Sequence, residues 1–361
     1  MEPLETVVSG STSGTRSAVS GPDLSVVVPV YQGMTLLPQT LPAIANSDLP
    51  RARWELIVVD DASTDDTAAV AKKWADHVVK LTGKPRGPAF ARNRGVEVCR
   101  GRWLMFVDAD VRIHADTLSH VVRIFENEPT VDAIFGAYDM APPAPDFISQ
   151  YRNLLHRYVH LQGAGEADTF WAGCGAVRLD AFNAVNGFDE RRYPRPQIED
   201  IDLGYRLRDK GRRIVLRPEV QGAHLKRWRF VQAAKTDVFD RGVPWVTLLL
   251  ERRHFQTSAN LNLKQGERLK AMMVGAGVVL TLSGLMLGQW VAIAAGVAAL
   301  AGVVLSNWAL LKWFAEHRGW WFAMRVAPMN LWYYIVSGAS VAIAVLNRLN
   351  GGQKHLAVNV D

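Results

Sequence analysis

Two acidic pairs in this chain have the spacing to handle a phosphorylated ligand. Asp108-Ala109-Asp110 places two carboxylates one residue apart, directly after the apolar run WLMFV. Hard oxygen donors of this kind suit Mg2+ or Mn2+, and such an ion usually bridges protein carboxylates to substrate phosphates. Asp-x-Asp alone is common in solvated turns. At the carboxyl end of a buried strand it faces the crevice where α/β sheets bind ligands. Asp60-Asp61 closes a second apolar run, WELIVVD, and a carboxylate there could accept hydrogen bonds from a base or a ribose. Helix capping would account for one such aspartate but poorly for paired aspartates at two strand ends. A third pair, Glu199-Asp200, opens a helical stretch.

Other chemistries lack their residues. Residues 87–95 (GPAFARNRG) contain no Gly-Lys-Ser/Thr, so they are not a nucleotide-triphosphate P-loop. No Gly-x-Gly-x-x-Gly follows the first strand, which removes the dinucleotide-binding reading. The only cysteines, Cys99 and Cys174, are too few for a disulfide framework or a zinc site and read as small buried apolar residues.

The elements that must position these carboxylates follow an α/β pattern, with short apolar runs alternating with helical segments from Leu24 onward. Residues 25–30 (SVVVPV), 54–60, 77–81, 103–107 and 131–137 read as buried strands. Helices are expected from Ser63, which would act as an N-cap, and across 114–127, 146–161 and 199–210. A glycine-led loop runs into a further helix over 87–99. The closely spaced glycines of 170–179 mark a tight backbone approach.

The last third changes character. Residues 271–311 run for 41 positions without Asp, Glu, Lys, Arg or His. As one helix they would be about 60 Å long, twice the roughly 30 Å hydrocarbon thickness, so two antiparallel spans turning near Gly288-Gln289 are expected. Residues 326–347 form a third charge-free tract of 22 residues between Arg325 and Arg348. Between positions 205 and 270 there are sixteen Lys/Arg against six Asp/Glu, whereas the whole chain is only +6. A basic excess beside an apolar tract points to anionic lipid headgroups and not to nucleic acid. Lys264, Arg268 and Lys270 before the first span put that end inside, as do Lys312, Arg318 and Arg325 for the loop after the second. Residues 1–22 are rich in Ser, Thr and Gly without an apolar core, so they read as a disordered tail and not as a secretory signal, leaving the first domain cytoplasmic. The expected organisation is a tail (1–22), an α/β catalytic domain (23–228), an interfacial basic and amphipathic segment (229–270), a multi-pass membrane region with two to three transmembrane helices (271–349), and a tail (350–361).

Five segments, SVVVPVY (25–31), VVDDASTD (58–65), GPAFARNRG (87–95), FVDAD (106–110) and EDIDLGYRL (199–207), resemble the ordered motifs of family 2 glycosyltransferases. The resemblance covers roughly residues 24–224. It implies a GT-A fold with a mainly parallel sheet flanked by helices, a nucleotide-diphospho-sugar donor, UDP-linked by preference, and inversion at the anomeric carbon. By resemblance, Pro29 and Tyr31 lie beside the nucleobase, Asp61 bonds it, Arg92 is a basic residue of the donor loop, and Asp108 contacts the ribose. Asp110 is the ligand of Mg2+ or Mn2+, His224 a second group near the metal and diphosphate, and Asp200 the general base with Glu199 beside it. Because Asp200 begins a helix, the dipole is expected to lower its pKa. The membrane tract suggests a lipid-linked acceptor, with a saccharide as the other choice. A processive polysaccharide synthase is a weaker alternative, since HLKRW (224–228) only partly resembles the Gln-x-x-Arg-Trp motif. A sugar-1-phosphate nucleotidyltransferase is a second, lacking its glycine-rich loop after the first strand.

Overall fold

The computed structural model describes residues 6–8, 21–252 and 265–350. It divides into two compact units, Met1–Trp228 and Arg229–Asp361. The first contains, in chain order, β1 (Thr6–Val8), β2 (Leu24–Val30), α1 (Leu37–Ala45), β3 (Trp54–Asp60), α2 (Thr67–Ala71), β4 (His77–Lys80), α3 (Pro88–Val96), β5 (Trp103–Val107), β6 (Val111–Ile113), α4 (Thr117–Asn127), β7 (Ala133–Tyr138), α5 (Phe147–Gln162), β8 (Gly165–Ala167), β9 (Cys174–Arg178), α6 (Leu179–Ala184), α7 (Glu199–Asp209) and β10 (Ile214–His224). One sheet runs β1-β4-β3-β2-β5-β9-β7-β10-β6, with β8 beside β10.

The β4-β3-β2-β5 portion is parallel, with Val30 opposite Asp60 and Val27 opposite Phe106. That register brings the carboxyl ends of β2, β3 and β5 to one edge, each followed by a segment carrying a candidate residue. β2, β3 and β5 are buried throughout, as expected for Val/Ile-rich strands covered on both faces. Alternate residues serve the two sides. Val26, Val28, Leu56, Val58 and Met105 join the core with Leu37, Leu41 and Ile44 of α1 and with Leu118, Val121 and Phe125 of α4. On the other side Phe106 packs against Phe182 and Phe188. There, too, α3 lies so close to β2 and β3 that a Cβ on Gly95 would fall 2.5 Å from Val27.

Several local expectations need correction. Ser63 does not start a helix: α2 begins at Thr67 after Asp66, and Ser63 donates its amide to Asp60 while its hydroxyl accepts from the Gln32 amide. Its turn is held by side chains that compete with helical hydrogen bonds. The helix expected over 114–127 starts at Thr117, because the His114 amide is still paired with the Gln221 carbonyl of β10, just beyond β6. β9 and β10 fall where glycines and charges hid the strand pattern. Within the first 22 residues, Thr6–Val8 pairs with β4; the other residues up to Ser20 lie outside the described ones, as do Lys264 and residues 351–361.

The second unit comprises α8 (Phe230–Lys235), a π-helical turn (Thr236–Gly242), α9 (Val243–Arg252), α10 (Gln265–Leu287), α11 (Trp290–Ser306), α12 (Trp308–Arg318) and α13 (Trp320–Leu349). α10 and α13 are long and apolar enough to cross a membrane, and α11 with α12 makes a third candidate if that pair, bent by 59°, is one span. The α10–α11 turn falls at Gly288, where it was expected. A polar cluster links these helices. Lys270 donates to Glu267 (2.7 Å) and to Asn307 (2.9 Å), and Tyr334 donates to Glu267 (2.7 Å).

α7 reaches the loop before β9 through Gly204, where a Cβ would lie 2.4 Å from the Phe170 nitrogen and 2.6 Å from the Thr169 carbonyl carbon. Backbone cannot give way as a flexible side chain can. Gly204→Ala is therefore expected to destabilise the fold by about 1–3 kcal/mol, as overpacking does. Chemical denaturation, compared with wild type, measures this.

Candidate active site

The centre of the site is a buried arginine. Arg92, on α3 one turn before the close contact at Gly95, donates through Nη1 to Glu199 (2.9 Å) and through Nη2 to Asp108 (2.6 Å). Its side chain is only 4% exposed, against 34% for Asp108 and 6% for Glu199. One guanidinium thus ties the end of β5 to the start of α7. Burial disfavours its charge, but Asp108, Glu199 and Asp200 outweigh that and raise its pKa.

Asp108 and Asp110 sit in the turn between β5 and β6. The Asp108 amide donates to Gly173 and its carbonyl accepts from Val111. Asp110 is drawn to β10: its carbonyl accepts from the Leu225 amide (2.8 Å), and its carboxylate lies 3.4 Å from His224 Nε2. Burial raises the Asp108 pKa even with Arg92 beside it.

Asp200 follows Glu199 in the first turn of α7. Its Oδ2 accepts from the Ala172 amide (3.1 Å) and its Oδ1 from the Ile201 amide (2.8 Å). Contrary to the dipole expectation, its pKa is pushed up to about 7. Burial is the largest cause, and the neighbouring Glu199 charge adds to it; Arg92 and the Ala172 amide pull the other way. Desolvation and a like charge exceed what a helix end supplies. A carboxylate titrating near neutrality is well matched to general-base work.

The strand-end residues behave differently. Pro29 is buried within β2, and Tyr31 just beyond it is half exposed. Asp61 turns its carboxylate onto the backbone of the following loop, accepting from Arg86 (3.0 Å) and Gly87 (2.7 Å). Burial still raises its pKa, with those amides working against it. Cys99 and Cys174 are thiols pushed up to about 12 by burial, which rules them out as ready nucleophiles.

Sequence reasoning passed over Asn153, Tyr138, Trp171 and the Ala172 amide. Asn153 Oδ1 lies 2.9 Å from His224 Nδ1, and Tyr138 stacks on the His224 ring at 4.7 Å. Asn153, His156 and His160 recur on one face of α5 at helical spacing, and that polar stripe was the available signal. Among the described residues no group of three or more His, Cys, Asp or Glu could hold a metal.

The model of the glycosyl transferase family 2 matches residues 25–185. That match covers just under half of the chain. The chain is 34% identical over 106 residues to the poly(ribitol-phosphate) beta-N-acetylglucosaminyltransferase TarS of Staphylococcus aureus, covering 28% of this chain and 18% of the relative. It is 33% identical over 124 residues to the PGL/p-HBAD biosynthesis glycosyltransferase of Mycobacterium bovis BCG, covering 33% of this chain and 47% of the relative. Each match thus spans less than half of the relative's length. The mannosyltransferase PcManGT of Pyrobaculum calidifontis, solved with GDP-Man and Mn2+, matches at TM-score 0.54 and 20% identity over 94% of this chain and 90% of its own. The fold is GT-A.

Arg92→Ala would leave the buried Glu199 and the partly buried Asp108 uncompensated and is expected to cost about 3 kcal/mol in unfolding experiments. With its pKa pushed up to about 7, Asp200 acting as the base would make kcat/KM for transfer fall tenfold per pH unit below that point. A pH profile without an acid limb in that range would remove Asp200 from the role.

Proposed function

We propose that this chain is a membrane-bound, inverting glycosyltransferase. It moves a sugar from a nucleotide-diphospho-sugar, a UDP-sugar by preference, to a lipid-linked or saccharide acceptor. The observation that carries this reading is the joining of the β5 end and the α7 start by Arg92, with Asp110 and His224 at the next strand end.

The residues fit a divalent cation. Asp110 Oδ2 and His224 Nε2 face one another at 3.4 Å, an oxygen and a nitrogen donor of the type Mg2+ and Mn2+ accept, with donor phosphates available to complete the coordination. When bound, the cation would neutralise charge developing on the departing diphosphate. Tyr31 offers an exposed ring for the base at the end of β2, and Asp61 shapes the loop at residues 86–87 on the far side of that edge. Asp108, held by Arg92 yet one-third exposed, is placed to accept from the ribose.

Asp200 takes the proton of the acceptor hydroxyl as that oxygen bonds to the anomeric carbon. The bond from that carbon to the diphosphate breaks on the opposite face, and its electron pair leaves with the nucleoside diphosphate. One displacement inverts the configuration. The Ala172 amide fixes the rotation of the Asp200 carboxylate, so the base is oriented before the acceptor arrives.

The membrane reading rests on α10 and α13 and on the basic excess before them. A catalytic unit held at the cytoplasmic face has immediate access to lipid-linked acceptors. The named acceptor of the Staphylococcus relative, a poly(ribitol-phosphate), keeps the saccharide or polyol class open for this chain.

Mass spectrometry of membranes offered a panel of nucleotide sugars should show one donor consumed and an acceptor gaining the sugar mass. Asp200→Asn is expected to keep UDP binding while lowering transfer by about 10²–10⁴, the usual worth of a general base. Asp110→Ala should abolish metal-dependent turnover, and unchanged turnover would remove the metal assignment.

A further inference from the structure

We infer that Asn153 is a positioning residue that sets the tautomer of His224 and thereby opens the position between His224 and Asp110 to a divalent cation. The inference rests on the reading of Asp110 and His224 as cation ligands.

Two separate contacts hold the His224 ring. Tyr138 stacks on it at 4.7 Å with an interplanar angle of 11°, which fixes the plane. Asn153 Oδ1 meets Nδ1 at 2.9 Å, which fixes the proton. A carbonyl oxygen only accepts, so Nδ1 carries the hydrogen, and in the neutral ring Nε2 then keeps its lone pair. That lone pair faces Asp110 Oδ2 at 3.4 Å, where a second electron-rich atom is waiting. Two acceptors aimed at one another need a positive charge between them, which a proton on Nε2 supplies when the ring is charged and a metal cation when it is neutral.

The opposite arrangement would close the site. If the amide nitrogen of Asn153 faced Nδ1, the ring proton would move to Nε2 and be spent on Asp110. Asn153 is 1% exposed, and in the observed orientation its Nδ2 has no hydrogen-bond partner among the described residues. The side chain thus leaves its own amide hydrogens unused while directing its oxygen to the histidine. Backbone pairing fixes the remaining geometry, because His224 lies opposite Val111 and the Leu225 amide binds the Asp110 carbonyl. With ring plane and strand register set elsewhere, Asn153 controls the protonated nitrogen alone.

The test is Mn2+ titration of the full-length protein in the presence of UDP, following the free-ion signal by electron paramagnetic resonance. Asn153→Leu keeps the approximate volume without the acceptor and is expected to weaken Mn2+ binding by about 10–100-fold, as loss of a ligand's supporting partner does. Asn153→Asp can only accept at Nδ1 and should hold affinity within about threefold of wild type on the same principle. Equal Mn2+ affinity in wild type and Asn153→Leu would overturn the inference, and so would equal weakening in Asn153→Asp and Asn153→Leu. If wild type binds no Mn2+, or His224→Ala and Asp110→Ala bind it as well as wild type, the cation reading itself fails and takes the inference with it. Should Asn153→Leu unfold, the Asn153→Asp result alone still decides, since a carboxylate that disrupts binding in a folded protein contradicts the proposed acceptor role.

Discussion

A single buried guanidinium governs how the acidic residues of this protein coexist. Carboxylates drawn together in a crevice repel one another and resist desolvation, so they persist in one place only where positive charge is built in beside them. Arg92 meets that need for Asp108 and Glu199, which belong to segments about ninety residues apart. Its geometry matters as much as its charge. A planar fork reaches two partners at fixed angles, which a lysine ammonium would not. Asp200, adjacent to this bridge but outside it, has its proton affinity raised by burial and by the neighbouring Glu199 charge.

Much of this arrangement was legible in the residues. Runs such as WELIVVD and WLMFV fixed β3 and β5 because fully buried parallel strands demand continuous apolar sequence, and the aspartates after them had to lie at the same sheet edge. The membrane-length tracts were equally plain from their lack of charge. The hidden features depend on partners distant in sequence. β10 contains Arg217, Pro218 and Glu219 and so does not read as a strand, yet it carries His224 to Asp110. The role of Arg92 could be guessed as contact with a donor. Its burial against Asp108 and Glu199 could not, since nothing local reports where β5 and α7 meet. Asp200 shows the same limit in energetic form: a helix start suggests a stabilised carboxylate, and only the assembled surroundings reveal that dehydration prevails.

Placing the chemistry at the junction of several chain segments also explains the close backbone approaches around it. Gly95 lets α3 settle on β2 and β3, and Gly204 lets α7 settle on the loop before β9. α3 carries Arg92 and α7 carries Glu199 and Asp200, and both helices are seated by the absence of a side chain. Distances of 2.6 and 2.9 Å at Arg92 require α3, the end of β5 and the start of α7 to be held to within fractions of an ångström.

The helical unit poses a different physical question, answered by Lys270, Glu267, Asn307 and Tyr334. Each group is an awkward cargo for an apolar helix alone, and together they satisfy one another. Their mutual fit fixes a common alignment along the helix axes. Sliding α13 past α10 by one turn, about 5.4 Å, would separate a phenol from its carboxylate and leave each without the other. Four side chains thus act as a detent, letting otherwise slippery helices come to rest at one height.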